Sequence, residues 1–265
     1  LDKVNLFAGT STGAIISACL ASDMPPARIV SLYKAAGPSI FSRKFFFGPR
    51  LIEKALQSPY DTMRLEAVLR QVFGKVKLKD MPRPLIIPTT NLKSGHAHIF
   101  ASFNCHVKLP LYKAVLASCC APTYFDPCVV DGLLLADGGM WGNNPSQLAL
   151  GVACRHFKAQ LQDIKIISIG TGHFNDCYND NTSHWGLLNG WKIRTLTEFV
   201  SSLQSETTFE QLSLLLPKEN LLRLNFTQNK LIKPDEFAQM ETLEQQARLT
   251  FTYSEKQIAH FMQEI

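Results

Sequence analysis

Residues Gly9-Thr10-Ser11-Thr12-Gly13 form the pattern G-x-S-x-G. On a sharp turn between a strand and a helix, such a serine projects its hydroxyl away from the backbone as a nucleophile. The flanks fit that context. Val4 to Ala8 is largely apolar, as a short buried strand would be, and Ala14 to Ala21 reads as a helix. A side chain at Gly9 or Gly13 is expected to crowd the bend. A helix beginning at Ser11 aims its free N–H groups and positive dipole end at the reaction centre, and the Thr12 N–H is placed to donate to an oxyanion. Ala14, Ala18 and Ala21 recur at helical spacing, which lets this helix lie close to a sheet. The competing reading is a glycine-rich turn with an incidental serine, and the strand and helix around it weigh against that.

A serine nucleophile needs a base, usually a histidine oriented by a carboxylate. The chain has seven histidines. His173, His184 and His260 come late enough for the order Ser, Asp, His, and His173, after a strand end, is the best placed of them. None sits in a context as sharply shaped as that of Ser11. Among the acids, Asp137 ends an apolar strand and precedes Gly138-Gly139, so it mirrors the serine's position. A buried carboxylate there could take the Ser11 proton directly, because desolvation raises its basicity. The same residues would also suit a strand-ending turn without chemistry. Asp131 precedes Gly132 where a hairpin turn wants Asp, and Asp126 before Pro127 reads as a turn residue.

These residues need a scaffold. The chain has 265 residues, 46% hydrophobic and 18% charged, an ordinary globular mixture without repeats or low-complexity tracts. Net charge is +5, and basic residues do not cluster as nucleic-acid binding requires. No apolar run approaches the roughly 18 residues of a membrane span, and Leu1-Asp2-Lys3 does not open a signal peptide. A cytoplasmic or peripheral membrane setting is expected. Seven cysteines (19, 105, 119, 120, 128, 154 and 177) make no C-x-x-C pair and most lie among apolar neighbours, so reduced, buried thiols are expected and no metal site. Helices are expected from Pro26 to Gly37-Pro38, over 51–56, 60–73 and 110–118, and after Asn144-Pro145. Strands are expected over 84–92, 97–103, 129–136 and 164–169, the last dense enough in Ile to be central in a sheet. From residue 192 the chain reads as mostly helical. Strands alternating with helices argue for an α/β layered fold with a largely parallel sheet.

Four motifs occur in order: Gly9 to Gly13; Cys119-Cys120-Ala121-Pro122-Thr123-Tyr124-Phe125; Asp137-Gly138-Gly139 with Asn143-Asn144-Pro145; and Ile169-Gly170-Thr171-Gly172. Together they resemble a patatin-like phospholipase over most of residues 4 to 172, and more weakly to the C-terminus. The resemblance implies a three-layer α/β/α fold, 1–265 as one domain, and a Ser–Asp dyad without histidine or cofactor. It implies calcium-independent cleavage of fatty-acyl esters from membrane lipids. Ser11 is then the nucleophile, Asp137 the base and Thr12 an oxyanion donor, with the Gly138-Gly139 turn holding the acid. Family members carry a D-G-G-G-x-R-G oxyanion loop upstream of the serine. Here eight residues precede Gly9 and none is glycine, so that loop is expected to be missing from this sequence.

The leading expectation is a phospholipase A or lysophospholipase acting through an acyl-enzyme. The alternatives are a histidine-dependent esterase or acyltransferase, and a catalytically silent lipid-binding or partner-regulated module. Expected partners are a phospholipid or other acyl lipid and a membrane surface, with no nucleic acid. Ser39 to Arg50 is aromatic and basic without regular period. Its Phe45, Phe46 and Phe47, with Arg43 and Lys44, are candidates for membrane contact, the other reading being a small satellite core under a loop.

Overall fold

A computed structural model describes residues 1–42, 58–104, 108–174, 178, 185–186, 190–191, 193–228, 232 and 236–263. Arg43, Lys44, Phe45, Phe46 and Phe47, the helix expected over 51–56, and His184 lie outside the described residues. The chain divides into two compact units, Leu1–Pro145 and Ser146–Ile265.

In the first unit the order is β1 (Phe7–Ala8), α1 (Thr12–Ala21), α2 (Pro26–Ile40), α3 (Thr62–Phe73), β2 (Leu85–Asn91), β3 (His96–Ala101), α4 (Leu111–Cys119), β4 (Cys128–Val130), β5 (Leu133–Asp137) and the short α5 (Gly139–Gly142). Local chemistry sets the boundaries. The Asp61 carboxylate caps α3 by accepting the Met63 N–H at 2.9 Å. Asp131 and Gly132, at φ 47° and 77°, make the turn between β4 and β5, the Asp-Gly hairpin that the sequence favours. Helix α2 continues through Gly37-Pro38 to Ile40, past the expected end. Pro38 removes one hydrogen bond near the last turn, where Phe41 N–H still reaches Gly37 O at 3.0 Å.

The sheet is mixed rather than largely parallel. Strand β2 pairs with β1 in parallel and with β3 and β5 antiparallel, and β4 pairs antiparallel with β5. Short hairpin connections between β2 and β3 and between β4 and β5 impose this. The register carries the important consequence. Strand β3 runs along one edge of β2, so β1 and β5 must share the other. There β1 pairs with Leu85 and Ile86, and β5 with Thr89, Thr90 and Asn91. The C-terminal ends of β1 and β5 therefore approach each other along β2, with Ile87 and Pro88 between them. Proline suits that gap, having no N–H to leave unpaired. The core around this sheet includes Leu85, Ile87, Phe100, Leu111, Val115 and Leu135, with Ala14 and Ala18 of α1.

In the second unit, α6 (Ser146–Arg155), β6 (Ile166–Ile169), β7 (His173–Phe174), α7 (Ile193–Leu215), β8 (Leu221–Leu224), β9 (Thr227–Gln228) and α8 (Met240–Gln263) follow in order. Strands β6 and β8 pair in parallel, as do β7 and β9. Leu150, Ile166, Leu212 and Leu221 form its core. Among the described residues β6 pairs with β8 alone, and Ile167 and Ile169 are exposed. Among the described residues no helix is long and apolar enough to cross a membrane.

Candidate active site

The ends of β1 and β5 carry the two residues of interest. Ser11 sits immediately before α1 at φ 56° and ψ −127°. A non-glycine residue there costs on the order of 1–3 kcal/mol and persists only when its surroundings hold it. The missing side chain at Gly9 is part of that hold. A Cβ would lie 2.1 Å from Gly13 O and 2.2 Å from Ser17 Oγ. The Ser17 hydroxyl fills that space and donates to Ala8 O at 2.9 Å, closing α1 onto β1. At Gly13 a Cβ would meet open space. The expectation that both glycines relieve crowding is therefore correct only for Gly9.

Asp137 is paired in register with Thr89 of β2 and is 4% exposed. Its carboxylate accepts the Gly139 N–H at 2.7 Å, and the Ser11 side chain lies near enough to favour its ionised form. Burial pushes its pKa up to about 6, and Ser11 and the Gly139 N–H, which both favour the ionised form, moderate the rise. The main chain is fixed as firmly. Asp137 N–H donates to Cys120 O at 3.0 Å, and Thr90 Oγ1 donates to Asp137 O at 2.8 Å. Gly138 lets the turn press on β2, since a Cβ would lie 2.3 Å from Pro88 O. Thr10 Oγ1 donates to Gly142 O at 2.6 Å, tying the serine turn to the helix that follows the acid.

Thr12 opens α1, and no acceptor among the described residues takes its N–H. Its carbonyl receives the Tyr33 hydroxyl from α2 at 2.8 Å. A free N–H beside a serine hydroxyl can stabilise negative charge on a carbonyl oxygen under attack.

The family model of the patatin-like phospholipases matches residues 1–150. The chain belongs to this family. Its α/β architecture is the patatin fold, and its family is one of lipid-hydrolysing enzymes. Among curated relatives, it is 31% identical to a cGAMP-activated phospholipase of Escherichia coli over 64% of this chain and 51% of that one. It is 30% identical to the protein of the same name from Vibrio cholerae, over 64% and 53%. It is 27% identical to the rabbit (Oryctolagus cuniculus) calcium-independent phospholipase A2-gamma, over 82% of this chain and 29% of that one. The chain thus spans about half the length of the bacterial relatives it matches.

In this patatin-like chain the histidines proposed for a triad lie in the second unit. His173 Nε2 is 3.2 Å from Thr227 Oγ1, and His260 is exposed on α8. Within the first unit, His96 and His98 are on β3, along the edge of β2 opposite Ser11 and Asp137. Asp131 is exposed at its hairpin turn, and the Asp126 carboxylate accepts the Ser58 hydroxyl at 2.7 Å. Among the described residues no group of three or more His, Cys, Asp and Glu side chains is arranged to hold a metal. Tyr33 and Ser118 give no functional signal in the sequence. Ser118 is a lone serine within Ala114-Val115-Leu116-Ala117-Ser118-Cys119, where the pattern signals only a buried helix.

Proposed function

We propose that this chain hydrolyses fatty-acyl esters of membrane phospholipids through Ser11 and Asp137, by way of an acyl-enzyme. The observation that carries the reading is the nearness of the Ser11 side chain to the buried Asp137 carboxylate, whose pKa is raised to about 6. Such a carboxylate is mostly ionised at neutral pH, yet is far more basic than an exposed aspartate. Ser11 Oγ attacks the ester carbonyl as Asp137 takes its proton. The Thr12 N–H donates to the oxygen that becomes negative. Collapse breaks the ester C–O bond, and Asp137 returns the proton to the departing alcohol of the lysolipid. Water then enters, gives a proton to Asp137 and attacks the acyl carbonyl. Release of Ser11 with that proton frees the fatty acid.

The family and its named phospholipases support this substrate class. The test is release of fatty acid from phosphatidylcholine vesicles by the wild type, Ser11→Ala and Asp137→Asn. Loss of release in both variants, with circular dichroism unchanged, supports the dyad. Near wild-type turnover in Asp137→Asn sinks it. Because the bacterial relatives are named for activation by cGAMP, the wild type is assayed with and without cGAMP. A dependence on it would extend that property to this chain.

A further inference from the structure

The Ser11 main chain is held at both of its polar ends by the last turn of α4. The Ser11 N–H donates to Ser118 Oγ at 3.0 Å. The Cys119 thiol donates to Ser11 O at 3.1 Å. Ser118 is fully buried and its Oγ donates in turn to Pro88 O at 2.7 Å. A serine hydroxyl has one hydrogen. With it committed to Pro88, Ser118 meets Ser11 only as an acceptor, so the direction of both bonds is fixed.

Pro88 occupies the gap where β1 and β5 approach along β2, one residue before Thr89, the partner of Asp137. The same carbonyl is the atom against which Gly138 packs. Ser118 therefore links the backbone of the serine to the surface on which the aspartate turn rests. We propose that Ser118 is a positioning residue that sets the distance between the Ser11 hydroxyl and the Asp137 carboxylate, an inference that rests on the Ser11–Asp137 reading above. It acts through the Ser11 main chain and does not meet substrate. It also engages the Ser11 N–H, so the elbow offers the oxyanion the Thr12 N–H and not its own.

The test compares Ser118→Ala and Ser118→Thr with the wild type on p-nitrophenyl butyrate. Removing the acceptor leaves the Ser11 N–H unanswered and lets the strained turn relax, and a misplacement approaching 1 Å costs up to about a hundredfold. In Ser118→Ala, kcat should fall roughly tenfold to a hundredfold with KM unchanged. The acid limb of the pH profile should also rise, because Ser11 is one of the two groups that hold the Asp137 pKa down. The Cys119 and Cys120 thiols, which also face Asp137, stay protonated through that range, their pKa values being raised. Ser118→Thr keeps the hydroxyl and should restore both values. A purely structural role would lower the folded fraction and leave the pH limb in place.

Should Ser118→Ala not fold, Ser118→Cys takes its place, with nearly the same shape and a weaker acceptor. The same two changes are expected at smaller size. Wild-type kcat and acid limb in a folded Ser118→Ala or Ser118→Cys overturn the proposal. Asp137→Asn assayed alongside separates the two ideas. An active Asp137→Asn rejects the dyad itself, whereas a dead Asp137→Asn beside an unchanged Ser118 variant rejects only the positioning role.

Discussion

Replacing Asp137 by Asn should make this protein more stable at alkaline pH. The carboxylate is buried, and its pKa is raised from an ordinary 3.8 to about 6. The folded protein thus holds this proton at pH values where the unfolded chain has lost it. The group's contribution to stability is fully present below pH 3.8 and is lost as pH rises through about 6. Above that, the ionised carboxylate destabilises the fold by about 3 kcal/mol. Asparagine has nearly the same shape and never ionises. It can still accept the Gly139 N–H, but its amide carries two hydrogens where the protonated acid carries one, and both need acceptors in a buried site. Allowing about 1 kcal/mol for this, the variant should gain about 2 kcal/mol at pH 8. The gain should shrink below pH 6 and vanish or reverse near pH 4. Urea denaturation of both proteins across this range reads the difference directly, since other groups titrate alike in both and cancel. A variant less stable than wild type at pH 8, or a difference that does not change with pH, would refute the reasoning.

The two elbow glycines should behave differently. Gly9→Ala places a Cβ 2.1 Å from Gly13 O, about 1 Å inside an ordinary contact, so hydrolysis should fall on the order of a hundredfold and the melting temperature should drop. Gly13→Ala meets open space and should melt within a few degrees of wild type, and a collapse in Gly13→Ala would contradict this. Gly138→Ala, 2.3 Å from Pro88 O, should push the aspartate turn off β2 and abolish activity in whatever fraction folds, as fatty-acid release normalised to folded protein would show. Asp131→Asn keeps the left-handed turn, which asparagine tolerates, and should leave turnover unchanged.

Much of this site is readable in the residues because turns constrain sequence strongly. Gly9, Ser11 and Asp137-Gly138 each stand where backbone geometry admits few residue types, so they are visible without neighbours. Asp131-Gly132 was equally legible as a hairpin turn. Less was legible where tertiary contacts decide. The mixed pairing of β2 depends on which strands lie along it, and strand-rich stretches read alike in either direction. Pro38 lies within α2 because a proline near the last turn removes only one bond. Gly13 looked necessary by symmetry with Gly9, yet only the Gly9 side faces packed atoms. Ser118 gave no signal, since one hydroxyl in an apolar helix is ordinary until its two partners, 107 and 30 residues away, are known.

The most direct test of the Ser11–Asp137 pairing is the rate at which a fluorophosphonate labels Ser11, followed by peptide mass spectrometry from pH 4 to 9. The probe forms its bond through the same attack as an ester, without needing turnover or a known lipid. One adduct is expected on the peptide holding Ser11, at a rate that rises with an apparent pKa near 6. Asp137→Asn should label far more slowly, with that rise gone. An adduct elsewhere, or a rate in Asp137→Asn that still follows the wild-type profile, would contradict the pairing.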